Sequence, residues 1–298
     1  MNNHKKIKIS EIVSFKNHPF QVNNDETLKE LSESIKNNGL INPVIVRKIA
    51  NNKYEMISGH RRKAALELLG EKEIDAYIMN LTDDEATIYM VDSNIYRDKI
   101  LPSEKAFAYK MKLDAIKHQG KKTSTTKLSK CSSSEIIGND YGESREQVRK
   151  YIRLTYLISD LLDLVDNTVK YDKRTFLTMG LKPAVELSYL TKDEQNLVYS
   201  AITYEDLTPS HAQAIKIRDL SKNKKLNYNS IEEIFQEKKG NQNETISFNK
   251  DKILSALPSE MLKRDKRYVE EYIINAIKEY KKINKSVKDD FDLNRLDF

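Results

Sequence analysis

Four consecutive residues, Gly59-His60-Arg61-Arg62, have the types and spacing to bind a phosphate group. They follow an apolar run that ends at Ile57 and precede Ala64 and Leu68, which predicts a strand, a tight turn and the start of a helix. A helix start presents free backbone N–H groups, and adjacent arginines add forked donors suited to phosphate oxygens. An ordinary helix start with solvated arginines has the same pattern, so position alone leaves both interpretations open.

A second polar cluster lies between Ser134 and Arg153, where the apolar spacing predicts two short helices around a turn at residues 140–143. Ser144 is placed to cap the second of these helices. We therefore predict a helix-turn-helix whose second helix contacts a DNA major groove and its phosphates. Its DNA-binding residues are expected to be Ser144, Arg145, Gln147, Arg149, Lys150 and Arg153. A small helical hairpin with a solvated basic face would look similar.

The charge of the chain agrees with a nucleic-acid partner but does not prove one. The 298 residues carry a net charge of +6, and residues 119–153 hold 8 Lys and Arg against 4 Asp and Glu, a surplus of 4. A flexible basic linker would account for part of that surplus. No apolar run approaches the roughly 20 residues that span a bilayer, and a lone Cys131 makes neither an internal disulfide nor an obvious zinc site. We expect a cytoplasmic protein without membrane contact.

The predicted elements that position these residues form an α+β protein. Residues 1–118 read as a small mixed α/β domain, in which Thr82 and Glu85 form a capping box and Ser103 caps a later helix. Residues 119–134 are rich in Lys, Ser and Thr and predict a linker. Residues 135–239 predict an all-α domain that contains the helix-turn-helix.

Residues 240–245 predict a second connector, and residues 246–298 a C-terminal interaction segment. This tail contains a short strand pattern at Thr245–Phe248 and an amphipathic helix at Tyr268–Ile283. The helix is equally suited to packing within the chain and to dimerisation.

The order of these features resembles the ParB partition-protein family across residues 5–237. The resemblance rests on four segments: HPFQ, TLKELSESIKNNGLINPVIVRK, YEMISGHRRKAALELLG and DSNIYRDKILPSEKAFAYKMKLDA. It implies an N-terminal domain with the fold shared by ParB and sulfiredoxin, followed by a helix-turn-helix. It further implies a homodimer that binds a palindromic, centromere-like site on double-stranded DNA and works with a ParA-type ATPase in plasmid or chromosome segregation. Many members bind CTP with Mg²⁺ and close as a sliding clamp.

Only some of the family's site residues are present at the matching positions of this chain. The resemblance implies a nucleotide site formed by Gln21, Gly59, His60, Arg61, Arg62, Asn94 and Arg97, with Mg²⁺ at Asn94. His60 stands where the family has glutamate, Ser93 replaces the glutamate expected to hold magnesium, and Val22 and Asn23 depart from the early motif. Because Mg²⁺ prefers carboxylates and phosphates, the loss of one carboxylate predicts a weakened metal site and at most a weak CTPase. No catalytic residue is assigned.

Three other functions fit parts of the sequence. A transcriptional or plasmid-maintenance regulator with the same domains needs no nucleotide switch. Sulfiredoxin chemistry requires a cysteine beside the phosphate-binding arginine, where this chain has His60, so we exclude it. A nuclease would need clustered metal ligands, and the Gly-His-Arg-Arg motif has none near it in sequence.

Overall fold

The computed structural model describes residues 3–22, 24–97, 100–122, 132–170, 176–237, 257–258, 269 and 272–276. Residues 1–238 form one compact unit and residues 239–298 a second. In the second unit, residues 272–276 are helical, within the predicted amphipathic helix. The predicted strand at Thr245–Phe248, most of that helix, Asn23 and Cys131 lie outside the described residues.

The N-terminal part is built on a five-stranded mixed sheet. In chain order its strands are β1 (Asn3–Lys8), β2 (Ile12–Val13), β3 (Val44–Lys48), β4 (Tyr54–Ser58) and β5 (Glu73–Met79). The spatial order is β1-β5-β3-β4-β2, with β1/β5 and β3/β4 antiparallel and β3/β5 and β2/β4 parallel. Val44, Val46 and Met56 are fully buried at the centre of this sheet. The predicted α/β character of the first domain is confirmed.

Three helices surround the sheet or follow it, and side chains cap the first and the third of them. Helix α1 (Glu26–Asn38) is capped by Asp25, whose carboxylate accepts from the Leu28 amide at 2.9 Å. Helix α2 (His60–Leu68) begins at Gly59, and α3 (Asp83–Asp92) opens with the predicted Thr82–Glu85 capping box. Capping of this kind satisfies N–H groups that the helix itself leaves unpaired.

The rest of the compact unit is helical. Its helices are α4 (Pro102–Lys122), α5 (Ser133–Tyr141), α6 (Arg145–Leu154), α7 (Ser159–Lys170), α8 (Leu181–Leu187), α9 (Lys192–Glu205), α10 (His211–Lys222) and α11 (Tyr228–Gln236). None of the helices in the described part of the chain is both long and apolar enough to cross a membrane.

Helix α4 differs from the sequence expectation at both ends. It begins at Pro102, so Ser103 lies in its first turn and is not its cap. Instead, the Ser103 amide and hydroxyl donate to the Asp166 carboxylate of α7 at 2.9 and 2.5 Å. The helix continues to Lys122, four residues past the predicted end of the first domain at residue 118. The cap prediction failed because the acceptor that satisfies this turn is 63 residues away in the sequence.

One apolar core joins the two predicted domains. Phe15, Phe20 and Ile57 of the α/β part share a buried cluster with Ile137 of α5 and Val148 of α6. Tyr109 of α4 is fully buried in the same cluster. The predicted boundary near residue 118 is therefore not a break in packing, because α4 contributes to the core on both of its sides.

A buried lysine stands at this junction. Lys112 of α4 is 3% exposed, and its Nζ lies 2.7 Å from Asp92 Oδ1, 2.8 Å from Asp140 Oδ2 and 2.9 Å from the Tyr141 hydroxyl. The Tyr141 hydroxyl also donates to Asp92. Asp92 ends α3, whereas Asp140 and Tyr141 end α5. This network, which we call the Lys112 network, connects the α/β part to α5, the first helix of the predicted helix-turn-helix.

Replacing Lys112 with methionine should lower the free energy of unfolding by about 1–3 kcal/mol, because its hydrogen bonds to two carboxylates are lost while the side chains of Asp92 and Asp140, about half exposed, stay partly hydrated. Urea denaturation measures this change. Lys117→Met, on the exposed face of the same helix, should cost less than about 1 kcal/mol. Equal effects of the two substitutions would show that the network does not stabilise the fold.

Candidate nucleotide and nucleic-acid sites

The turn between β4 and α2 requires glycine at position 59. Gly59 has a φ of 105°, in the left-handed region, and a Cβ added there would lie 2.6 Å from Val44 Cγ1. Both constraints exclude an L side chain. Since the carbonyl of Gly59 accepts the first helical hydrogen bond from the Lys63 amide at 3.0 Å, the N–H groups at the start of α2 are free to bind an anion.

The two arginines of the predicted phosphate motif have different surroundings. Arg62 donates from Nη1 to the carbonyl oxygens of Asn42 and Pro43 at 2.6 and 2.9 Å, which fixes the chain before β3. Arg61 donates from Nη2 to Thr27 Oγ1 at 2.5 Å and lies 3.7 Å from Asp25 Oδ1 at the start of α1. Arg61 is therefore the arginine better placed to exchange its partners for a phosphate, whereas Arg62 holds the turn.

The Asn94–Arg97 segment follows α3 and approaches the same region. Asn94 is 2% exposed, and its amide group donates to the Met90 carbonyl at 2.7 Å. Arg97 stacks over Phe20, with its guanidinium carbon 5.5 Å from the ring centroid. Burial lowers the pKa of Arg97, the Glu104 carboxylate raises it, and the charge of Arg61 lowers it, so the two guanidinium groups repel each other. A bound polyanion would relieve that repulsion.

The residues present do not form a magnesium site at Asn94. Ser93 supplies a hydroxyl that donates to the Met90 carbonyl at 3.0 Å, and the adjacent Asp92 is engaged by Lys112. Within the described residues no group of three His, Cys, Asp or Glu side chains could hold a metal ion. The chemistry of this donor set favours anion binding by cations over binding through a metal.

Gln21 is exposed on the loop before α1, and the structure ties its backbone to the same region. Its amide donates to Glu104 Oε1 at 2.7 Å, and Glu104 Oε2 accepts from the Leu101 amide at 3.0 Å. The loop that carries Gln21 also carries His18, which sequence reasoning did not place in the site. The available signal was the HPFQ segment itself, because its histidine lies three residues before the matched glutamine.

The rings of His18 and His60 are in close contact and tilted relative to each other. Their ring centroids are 3.8 Å apart at an interplanar angle of 42°. His60 is 8% exposed, and burial together with the positive charges of Arg97 and Lys63 lowers its pKa to about 3. His60 therefore stays neutral at physiological pH, where the glutamate expected from the family would carry a negative charge.

The α5–α6 turn, where the sequence predicts a helix-turn-helix, depends on two glycines, one within α5 and one at its end. Gly142 ends α5 with a φ of 69°, and Gly138 packs so closely that an added Cβ would lie 2.4 Å from the Glu143 carbonyl oxygen. The Ser144 hydroxyl caps α6 by accepting from the Gln147 amide at 3.1 Å, as predicted. Lys105 of α4 pairs with Glu143 in the turn. Helix α6 is thus held in a fixed direction relative to α4.

The predicted DNA-binding residues divide into two groups. Arg145 and Arg149 are exposed, and neither has a hydrogen bond or ion pair within the described residues. Lys150 is 2.8 Å from Glu146 Oε1 one turn earlier, and Gln147 is half-buried. The free guanidinium groups are the strongest candidates for contact with nucleic acid.

Arg153 departs from the expectation that it faces DNA. Its Nε and Nη2 donate to the hydroxyl and carbonyl oxygens of Ser188 at 2.9 and 2.7 Å. Its guanidinium lies over Tyr156 and Tyr189, 4.5 and 3.9 Å from the ring centroids. The Arg153 side chain therefore connects α6 to the end of α8. The spacing of residues along α6 does not predict this contact.

Comparison with known proteins identifies the N-terminal part. Residues 1–95 match the family model of the ParB N-terminal domain. The chain carries a ParB N-terminal domain. The resemblance to the ParB family inferred from the sequence is confirmed, as is the mixed α/β domain followed by a helical region.

Relatives of this ParB-type chain include partition and nucleoid occlusion proteins. It is 31% identical over 188 residues to the chromosome-partitioning protein ParB of Myxococcus xanthus, covering 63% of this chain and 58% of that protein. It is 37% identical over 109 residues to the nucleoid occlusion protein of Lysinibacillus sphaericus, covering 37% of each. The chain thus matches between about a third and three fifths of the length of these relatives.

Solved structures of ParB proteins align with the ParB-type chain at low similarity. C-terminally truncated ParB from Caulobacter crescentus, complexed to the centromeric parS site, is 18% identical with a TM-score of 0.40 and covers 74% of this chain and 99% of that one. The same truncated protein complexed with CTP-γ-S is 20% identical with a TM-score of 0.30, covering 67% and 99%.

The low pKa of His60 predicts a loss of stability in acid. Because the folded pKa is about 3 and the unfolded value is near 6.5, the unfolded state binds the proton first as pH falls. Stability should fall from about pH 6.5 toward pH 3, with a slope of up to about 1.4 kcal/mol per pH unit from this residue. Urea denaturation at pH 7.5, 6 and 5 measures the slope.

His60→Gln should reduce the acid-side slope, whereas His118→Gln, at an exposed histidine, should leave it unchanged. An unchanged slope in His60→Gln would mean that folding does not lower the pKa of His60.

Proposed function

We propose that this protein is a ParB-like, DNA-binding partition protein that recognises a centromere-like site through α6 and binds CTP at the start of α2. The observation that carries the proposal is the presence of Arg145 and Arg149, exposed and unpaired within the described residues, on a capped helix in the same compact unit as a ParB N-terminal domain. Kinship to chromosome-partitioning ParB supports it.

For DNA recognition, α6 enters the major groove and directs Arg145 and Arg149 to base edges or phosphates. A homodimer presents two copies of α6 to a palindromic site, with half-sites about 34 Å apart when they lie on one face of the duplex. The Lys105–Glu143 pair and the Arg153–Ser188 contacts hold α6 at its two ends. A ParA-type ATPase is the partner that this function would require.

For nucleotide binding, the triphosphate lies against the free amides of α2 and is contacted by Arg61 and Arg97. Asn94 is buried behind this surface and positions the Arg97 segment through its bond to Met90. Because Ser93 offers no carboxylate to hold Mg²⁺, we propose that the arginines bind the triphosphate without a metal ion. Bound CTP would act as a switch of clamp closure, and efficient hydrolysis is not part of the proposal.

The two sites are linked by a short path. Tyr96, between Asn94 and Arg97, donates its hydroxyl to the Asp140 carbonyl oxygen at 2.9 Å. Asp140 belongs to the Lys112 network and lies at the end of α5. A ligand that moves the Asn94–Arg97 segment would therefore act directly on the helix-turn-helix.

The DNA-binding half of the proposal is tested by selecting binding sites from random duplex DNA with the purified protein. We expect a palindromic motif, and Arg149→Ala should weaken binding to it by about 1–3 kcal/mol, or roughly 10- to 100-fold, in fluorescence anisotropy. Lys216→Ala, which removes a charge paired with Glu237 far along the chain, serves as the matched control. No enriched motif, or equal effects of both substitutions, would contradict site recognition by α6.

The nucleotide half is tested by calorimetric titration with CTP, ATP, GTP and UTP, each with and without Mg²⁺. We expect selective CTP binding that Arg61→Ala weakens at least tenfold while leaving DNA-site binding intact, because the partners of Arg61, Thr27 and Asp25, lie at the start of α1. Lys29→Ala on the exposed side of α1 is the control. The absence of a binding signal with all four nucleotides would favour the alternative, a site-specific regulator with no nucleotide switch.

A further inference from the structure

The His18–His60 pair leaves three buried nitrogen atoms without hydrogen bonds. These atoms are His18 Nε2 and both ring nitrogens of His60, and none has a partner within the described residues. Buried polar atoms in native proteins are nearly always paired, and each unpaired one costs roughly 1–3 kcal/mol. The pair is therefore held in an arrangement that a change of protonation or a ligand would improve.

Hydrogen bonding fixes the state of one of the rings. His18 Nδ1 lies 2.7 Å from the Phe20 carbonyl oxygen, which can only accept, so Nδ1 carries the proton in the neutral ring. His18 Nε2 then bears the free lone pair and is the atom that would receive a second proton. The resulting cation would keep its bond to Phe20.

The charges that face the pair keep it neutral in the absence of a ligand. Arg97, from the segment after α3, lowers the pKa of both rings, and Lys63 of α2 lowers that of His60. The Phe20 carbonyl raises the pKa of His18, but burial outweighs it. The charged side chains that shift the pKa of the two rings are all positive, although Glu104, Asp114, Asp163 and Asp166 line the cavity beside His18. An anion added at the start of α2 would therefore raise the pKa of the pair.

The histidine pair lies beside the proposed anion-binding site. His60 is the first residue of α2, a nine-residue helix that begins at Gly59 without a capping side chain. The same helix start is where the proposed function places the triphosphate, within the field of Arg61 and Arg97. A negative charge within about 4–6 Å of a histidine favours its protonated form and raises its pKa by about 1–3.

We propose that CTP binds at this site together with a proton, which the His18–His60 pair takes up and which the negative charge of the triphosphate stabilises. The inference rests on the proposed nucleotide function and adds pH regulation to it. Nucleotide affinity should rise as pH falls. His18 receives the proton first, because it is less deeply buried than His60 and already holds an acceptor at Nδ1.

The proton is counted by calorimetry. The wild-type protein is titrated with CTP in the presence of EDTA at pH 7.0, in several buffers that differ in ionisation enthalpy, and the dependence of the observed enthalpy on the buffer gives the protons taken up. Because CTP itself titrates near this pH, the informative quantity is the difference between wild type and variants. His18→Gln and His60→Gln remove the pair, and His4→Gln, at an exposed histidine, is the matched control.

We expect the wild type and His4→Gln to take up close to one proton more than His18→Gln, and wild-type CTP affinity to increase up to tenfold per pH unit between pH 8 and 6. Equal proton uptake in all four proteins would overturn the inference while leaving nucleotide binding established. Absence of CTP binding in the wild type would overturn the nucleotide function itself, and the inference with it.

A second measurement decides the question if the variants lose CTP binding altogether. The chain has 5 histidines, so the ring signals of His18 and His60 can be assigned in NMR spectra of the free protein by comparison with the two variants. In the wild type at pH 7.0, saturation with CTP should move the His18 signals to the protonated position. Signals that stay at the neutral position would overturn the inference.

Discussion

The arrangement of the compact unit depends on one buried charge, the ammonium group of Lys112. A lysine in the protein interior is tolerated only when carboxylates and hydrogen-bond acceptors replace its lost hydration. Here the replacements come from Asp92 at the end of α3 and from Asp140 and Tyr141 at the end of α5. Burial and the bond to Asp92 raise the pKa of Tyr141, so its hydroxyl remains a donor. Satisfying this charge holds the end of α3 in the α/β part against the end of α5.

Both candidate sites are direct extensions of that junction. On one side, Ser93 and Asn94 follow Asp92, so the segment that carries Arg97 is anchored where α3 meets α4. On the other side, Gly138 and Gly142 allow α5 to turn tightly into α6, which presents Arg145 and Arg149. A rigid apolar core around Tyr109 and Ile137 fills the space between them. The fold therefore links the Asn94–Arg97 segment and the basic helix α6 through one shared core.

Much of this organisation could be predicted from the sequence, because it follows from local patterns. The Gly59 turn, the Thr82 capping box and the Ser144 cap are encoded within a few neighbouring residues, and all three are present. The contacts that we did not predict join residues that are far apart in the sequence. Lys112 has the sequence context of a surface lysine, but in the fold it binds Asp92 and Asp140. His18 contacts His60, which is 42 positions away in the sequence. Arg153 donates to Ser188. Periodicity carries no information about such pairs.

The central claim is that the nucleotide site and the DNA-binding helix are energetically coupled through the Lys112 junction. It is tested most directly by measuring CTP affinity calorimetrically in the absence and the presence of a saturating amount of the selected DNA duplex. Coupling between sites is reciprocal and typically changes affinity about 5- to 150-fold. We predict a change of at least fivefold in CTP affinity when DNA is bound. The same CTP affinity with and without DNA would contradict the account.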